Sequence, residues 1–507
     1  FYAPEAARAP SGQQAARYLH HLFEARDWGA LERWLRRSSI PQSLLRRLWQ
    51  AAEDELPAGE EREAVALQVA AHYVRLGSYD YPDARRAFAV LEASADASVR
   101  LWTALKRAEG MVQSGRAEEA ERLLADLPGA PPSSSALRAE RALVEASLAR
   151  WHSALGRAAR LVAGEARPQL AAIPADDTEG RLIHAKVAVW SGLIAKDQGQ
   201  LERALQDFAS VAAGDDLIDA RVAFQTGDVL LQLGRYDGAL AALDDAVSRA
   251  YRSEAPAQEQ ARYLSRRATL YRLRGDLREA AADFGAALER LGAVPDPEGA
   301  FWQARVEDER ALFSLACGDF ESAIFALSEN ARVFASYAAA SGVDASYRLL
   351  RGQLHLALAY GLRGLRQPYR LPLGRAASGD AADLGQAERL LKEVLEQLGH
   401  QRRGGLALQG LQREALHAAS FLALEPETGL RHAEAALELS RFSAQRALSL
   451  CFRSAARLRL GDAGGAGADA REAAASLASL RGPHERGNLA CLAWQQSLEM
   501  SAALGAG

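Results

Sequence analysis

The stretch "LLQLGRYDGALAALDDAV", residues 230–247, reads as the end of one helix, a tight turn at Gly234 and the start of a second helix. Glycine accepts the positive φ that ends a helix and opens such a turn. A small residue, Gly227, stands seven positions before Gly234. An aromatic, Tyr236, follows it by two, Ala239 by five and Ala246 by twelve. The same offsets recur along the chain. Around Gly275 they select Ala268, Leu277, Ala280, Phe284 and Ala287. Around Gly318 they select Ala311, Phe320, Ala323, Leu327 and Asn330, and around Gly199 they select Gly192, Leu201, Ala204, Phe208 and Val211. Gly115 gives Ala108, Ala117, Ala120, Leu124 and Leu127. Weaker copies surround Gly77 (with two inserted residues), Ala149, Arg26 and Gly461.

One physical scheme accounts for these offsets. The small residues before and after the turn face each other and let two antiparallel helices approach closely. The large residue after the turn fills the gap between neighbouring hairpins. A lone hairpin leaves an apolar face exposed, so each must stack on the next. The pattern resembles the tetratricopeptide repeat family: a small residue before the turn, Gly with Tyr, Phe or Leu at the turn, then Ala, Phe and Ala. That resemblance implies an all-α fold, a right-handed superhelical α-solenoid of antiparallel helix hairpins. The family's unit is about 34 residues. Here the turn glycines lie 35, 41 and 43 residues apart from Gly199 through Gly234 and Gly275 to Gly318, so helices or links are longer. The alternative is a helical bundle without repeats.

The expected organisation has three parts: N-terminal repeats over residues 1–127, central best-matching repeats over 136–345, and degenerate repeats with a C-terminal cap over 346–507. Three stretches break the period. Residues 127–136 read as a Pro- and Ser-rich loop, and 164–180 as an extended connection. Residues 363–383 read as a basic loop insertion carrying Arg363, Arg366, Tyr369, Arg370 and Arg375. That loop is either a docking element for an acidic partner or a solvated insertion with its arginines paired locally.

Composition narrows the function. A chain of 507 residues with net charge −4 offers no global charge for nucleic acid or an anionic membrane. Its basic residues are almost all Arg; Lys106, Lys186, Lys196 and Lys392 are the only lysines. This bias, with the abundant Ala and Gly, reads as high-GC coding composition. No apolar run reaches the ~18–20 residues that span a bilayer. Cys317, Cys451 and Cys491 are too far apart for a zinc or disulfide pattern, and buried thiols in a reducing, cytoplasmic setting are expected. The chain begins at Phe1 without an initiator Met, which reads as processing or as part of a longer protein.

A search for chemistry finds little. The chain has no P-loop lysine, GxSxG or HExxH motif. The Gly-rich run at 461–470 falls at an inter-helix turn. The ten histidines are scattered. Neither an enzyme nor a cofactor or metal is expected.

The helix before each turn is more informative. In the resembled family it lines the concave face, which implies a groove for a protein or peptide ligand. Thirteen residues before four successive turn markers stand Lys186, Arg221, Arg262 and Arg305, one basic residue per hairpin. Arg262 and Arg266 match the basic pair of the family's carboxylate clamp, and Gln225 its amide. Val189 and Leu193 replace the clamp's Lys and Asn, so the full pattern fails. Phe224, Leu231, Thr269 and Leu312 share the face. The basic ladder either binds a ligand of acidic character or bridges repeats through Asp216, Asp219, Glu307 or Asp308. The expected function is a non-catalytic interaction scaffold. The alternative, which the resemblance to the arrays of bacterial regulators implies, is a sensor or regulatory module of a larger bacterial signalling or transcription-regulating protein, with a small effector as ligand.

Overall fold

The structure is a computed structural model. It describes residues 42–76, 82–113, 116–127, 134–152, 154–174, 178–211, 214–253, 255–292, 294, 298–341, 343–365, 380–400, 406–440 and 443–478. These residues are helical apart from their connections. They form two compact units, one of residues 1–194, 209–218 and 251–256, the other of 195–208, 219–250 and 257–507.

In the first unit, α1 (Gln42–Glu55), α2 (Glu60–Leu76) and α3 (Pro82–Glu92) enclose Trp49, Val69, Tyr73 and Phe88. Next, α4 (Ala97–Gln113), α5 (Ala117–Ala125) and α6 (Ser135–Trp151) close on Leu105, Ala108, Ala120 and Val144. Helix α7 (Leu155–Arg160) continues through a π-helical turn, Leu161–Ala166, and a further helical stretch to Ala172. The expected extended connection from residue 164 is therefore helical as far as Ala172. Proline removes one intrahelical N–H, and a local change of helical register accommodates it; Pro168 stands two residues after the end of the π turn.

Helix α8 (Thr178–Asp197) leads to the hairpins of the second unit. Their first helices are α10 (Asp216–Gln232), α12 (Ala257–Arg274), α14 (Glu298–Cys317), α16 (Val343–Gly364), α18 (Leu406–Leu422) and α20 (Ser443–Arg459). The second helices, starting from α9 (Leu201–Ala209), are α11 (Tyr236–Arg252), α13 (Leu277–Leu291), α15 (Phe320–Ser341), α17 (Ala381–His400), α19 (Pro426–Glu438) and α21 (Ala463–Ala478). From α12 onward, each first helix packs on its own second helix and on the next first helix.

The turn chemistry follows the sequence. Gly199, Gly234, Gly275, Gly318 and Gly461 all have φ between 75° and 86°. After each, the next N–H reaches back five residues. Arg235 donates to the Leu230 carbonyl at 2.9 Å, and Asp276 to Tyr271, Asp319 to Ser314 and Asp462 to Arg457 do the same at 2.9–3.0 Å. Those bonds satisfy helix-terminal carbonyls that would otherwise lack partners.

Closure by small residues is direct. A Cβ placed on Gly227 would lie 2.8 Å from Leu243 Cγ and 3.3 Å from the Ala239 carbonyl. Ala268 with Ala280, and Ala311 with Ala323, are buried at the same positions.

Two details differ from expectation. Leu277 is 41% exposed and does not fill an inter-hairpin gap as Tyr236 and Leu201 do. Ala149 is not a turn residue. It is buried inside α6, and its carbonyl accepts the Ala154 N–H at 2.8 Å, so the turn falls after Trp151. In so alanine-rich a chain, Ala146 and Ala158 fit the closing positions as well as the residues that placed the turn at Ala149. The copies at Arg26, Gly77 and Gly115 place their turns outside the described residues.

Candidate functional site

The first helices carry most of the buried charge, and it is arranged in alternating sign. In the first unit, Lys106 of α4 is 2.5 Å from Glu140 of α6 and 3.3 Å from Glu109. Lys186 of α8 joins the same carboxylates at 3.2 Å and 3.8 Å. Burial raises the Glu140 carboxyl pKa, but Lys106 and Lys186 outweigh it and hold the value at about 2. Burial likewise disfavours charge on Lys106, yet the two glutamates leave its pKa raised. Lys186, the first member of the expected basic ladder, is thus an internal bridge.

The second unit repeats the device. Asp228 of α10 accepts from Lys196, from Arg266 of α12 and, at 3.1 Å, from Gln232. Gln225 turns its Oε1 to Lys196 at 3.0 Å. Despite burial, Arg266 and Lys196 push the Asp228 pKa well below the carboxylate range. Farther along, Arg351 of α16 holds Glu309 at 2.6 Å and Asp308 at 3.3 Å, and His355 Nδ1 lies 3.2 Å from Asp308. Glu309 is held at about 2, as Arg351 and Arg266 overcome its burial. Buried charges are tolerated only when paired and hydrogen-bonded in this way.

Other expected site residues divide sharply. Arg221 donates from Nε and Nη2 to Glu259 at 2.8 Å and 2.5 Å. Glu259 also accepts from the Tyr263 hydroxyl at 3.0 Å. The Phe224 ring, buried, stacks on Tyr263 with centroids 4.8 Å apart. Arg262 is exposed and lays its guanidinium over Phe224, 4.4 Å from the ring centroid. Among the described residues it forms no ion pair. Arg305 lies over Trp302 at 4.1 Å and Phe301 at 5.9 Å. Thr269 is buried, its hydroxyl donating to the Ser265 carbonyl, so it does not line a groove.

The carboxylates expected to neutralise the ladder have these ion pairs. Asp219 pairs with Arg249, Asp216 with Arg252, Glu307 with Arg310, and Asp308 with Arg351.

Arg363 belongs to the last turn of α16 and not to a loop. It forks onto Asp383 at 2.6 Å and 2.8 Å, and reaches Glu321 at 2.8 Å. Arg366, Tyr369, Arg370 and Arg375 lie outside the described residues. The Gly-rich run at 461–470 is the start of α21, where the Gly465 N–H donates to Asp462 Oδ1 at 2.8 Å.

Counting back from the turn glycines missed one residue of the same kind. Arg348 of α16 lies over Tyr347, 5.5 Å from its centroid. Arg262, Arg305 and Arg348 are spaced by 43 residues each. Gly361 stands thirteen residues after Arg348, but it lies inside α16 and not at a turn.

With left-handed glycine turns, small-residue closure and first helices stacked on first helices, the hairpins have one architecture. They are tetratricopeptide-like. No protein-family model matches the chain. No curated protein matches it. Among solved structures it is similar to a Rap protein complexed with Competence and Sporulation Factor, at 13% identity over 76% of this chain and 99% of that one, with a TM-score of 0.47. It is similar to a tetratricopeptide repeat protein from Parabacteroides merdae at 13% identity over 63% and 99%, TM-score 0.37. Yeast Tom70 aligns at 14% identity over 100% and 97%, TM-score 0.40. Identities this low carry nothing about function.

No described helix is long and apolar enough to cross a membrane. No group of three or more metal-ligating side chains occurs among the described residues.

Proposed function

We propose that the chain is a non-catalytic binding module that recognises a protein or peptide along the first helices of its second unit. The observation that supports it is Arg262: an exposed guanidinium held over Phe224 while its neighbours Arg221 and Arg266 are tied to carboxylates. A cation held in place without an internal counter-ion is available to a ligand at little conformational cost.

Reversing both Arg262 and Arg266 is a poor test, since Arg266 holds buried Asp228. The test is capture of binding proteins on the immobilised full chain, with Arg262→Glu beside a control, Arg332→Glu. Arg332 lies on the second helix α15 with its side chain 76% exposed. Proteins retained by the parent and the Arg332 variant but lost with Arg262→Glu are expected. Equal retention by all three, or recovery of a small metabolite alone, refutes the reading.

A further inference from the structure

The interior charges of the first helices alternate in sign from one hairpin to the next. In the second unit, Lys196 of α8 is followed by Asp228 of α10, Arg266 of α12, Glu309 of α14 and Arg351 of α16. Asp228 pairs with both neighbouring cations, Lys196 and Arg266. Arg351 holds Glu309 at 2.6 Å. Against its burial, Arg351 and Arg266 together keep the Glu309 carboxyl at about 2. None of these five side chains is more than 30% exposed. The first unit has the same arrangement in three rungs, with Glu140 of α6 between Lys106 of α4 and Lys186 of α8, at 2.5 and 3.2 Å.

Unlike charges can be buried together, whereas like charges cannot. The apolar closing positions carry no such distinction: Ala268 with Ala280 and Ala311 with Ala323 are the same pair of residues in two successive hairpins. Stacks of similar repeats are prone to wrong neighbours and swapped assemblies. The 43-residue step from Arg262 to Arg305 also carries Arg266 onto Glu309, so these two rungs occupy equivalent places on α12 and α14. A stack displaced by one hairpin would set Asp228 against Glu309, or Arg266 against Arg351. The same helix of a second copy would also present like charge to like. A displacement by two hairpins restores unlike pairs but leaves two hairpins out of the stack, with the loss of their interfaces.

We infer that the alternating rungs fix the order of stacking in the second unit, so that each first helix accepts only the hairpins next to it in the chain. The rungs thus select neighbours as well as stabilising them, the use of buried charge that sets register in other helical assemblies. An ion pair of the opposite polarity, Arg221 of α10 with Glu259 of α12, does not extend along the stack. The same 43-residue step places Trp302 of α14 where α12 has Glu259. This order holds whatever the array binds.

Two internal deletions in the otherwise full chain test the order by thermal unfolding, with hydrogen exchange of α10 reporting on the unit concerned. Removing residues 257–299 takes out α12 and α13 and brings Glu309 to the place of Arg266, against Asp228. Removing residues 257–342 takes out α12 to α15 and brings Arg351 to within one residue of that place. A stack loses stability with each hairpin removed, so on length alone the longer deletion should melt lower. The alternation predicts the reverse: the shorter deletion melts several degrees below the longer one. Glu309→Gln supplies a second readout. In the full chain it lowers the melting temperature, because Arg351 loses its partner at 2.6 Å. In the shorter deletion the same substitution should raise it. A shorter deletion that melts at or above the longer one overturns the inference. So does Glu309→Gln if it lowers or leaves unchanged the melting temperature of a folded shorter deletion. If the shorter deletion does not fold, a cooperative transition is expected from its Glu309→Gln form or from the longer deletion, and its absence from all three overturns the inference as well.

Discussion

Asp228→Asn tests whether buried charge holds successive first helices together. The carboxylate is 12% exposed and bridges Lys196, itself 17% exposed, to Arg266, 30% exposed. Neighbouring cations keep it ionised far below neutral pH. Removing one partner of a buried ion pair costs about 3–5 kcal/mol, because the remaining charge stays buried. Here Arg266 can turn partly to water, so about 2–3 kcal/mol is expected. In a unit of this size that lowers the melting temperature by about 5 °C or more. The comparison is Glu202→Gln, which breaks a pair with Arg235 whose side chains are 59% and 46% exposed. Such surface pairs contribute about 0–1 kcal/mol. Thermal and urea unfolding of the full chain would be followed with hydrogen exchange of α10 and α12, since two units need not melt as one transition. Lys196→Met alone and combined with Asp228→Asn completes a double-mutant cycle, and a positive coupling energy is expected. If Asp228→Asn costs no more than Glu202→Gln, the bridge is stabilising nothing and the reasoning fails.

Gly227→Ala should destabilise by about 1–3 kcal/mol through overpacking, because its Cβ would meet Leu243 Cγ at 2.8 Å; a partial recovery with Leu243→Val separates packing from helix propensity. Gly234→Ala should cost about 1–2 kcal/mol for a different reason, the left-handed φ of 75°, and no substitution at Leu243 should recover it. His417 should make the second unit acid-sensitive: burial and then Arg413 lower its pKa from 6.5 to about 3. The folded state therefore refuses a proton that the unfolded chain accepts, and stability present above pH 6.5 is lost as pH falls toward 3. At pH 5 the penalty is about 2 kcal/mol, and melting curves of His417→Gln should lack that part of the pH slope. Lys106→Arg should destabilise the first unit by about 1–3 kcal/mol, since a fork must enter a space filled by an ammonium; an unchanged melting temperature would show room for it.

The fold was legible wherever one residue had one physical job. Only glycine sits easily at φ near 75°, so Gly199, Gly234, Gly275 and Gly318 marked their turns. Alanine has many jobs, and the turn placed at Ala149 belonged after Trp151. The site was legible only in part. Counting from the turns selected Arg262 and Arg305, whereas Arg348 stands thirteen residues before Gly361, a glycine inside a helix and not at a turn. Nor could position along one helix say that Arg221 would reach Glu259, thirty-eight residues away on the next first helix. Charge partners are chosen across hairpins, where sequence offers candidates such as Asp219 and Glu307 but not the rotamers that select among them.

The lysines show how much signal a composition can hide. Arginine supplies nearly all the positive charge, so the four lysines look like residue of a coding bias. Three of them do one thing. Lys106, Lys186 and Lys196 each join carboxylates of neighbouring first helices, with side chains 3%, 27% and 17% exposed. Only Lys392, 76% exposed beside Glu396, is an ordinary surface charge. An ammonium is a compact point charge that bonds in several directions, whereas a guanidinium is a planar fork that wants a ring or a carboxylate edge. That difference sorts the basic residues. Lysine joins carboxylates between neighbouring helices, and Arg262, Arg305 and Arg348 lie over aromatic rings. Arginine takes the same bridging role where a fork can reach the carboxylates, as Arg351, 14% exposed, takes Glu309 and Asp308.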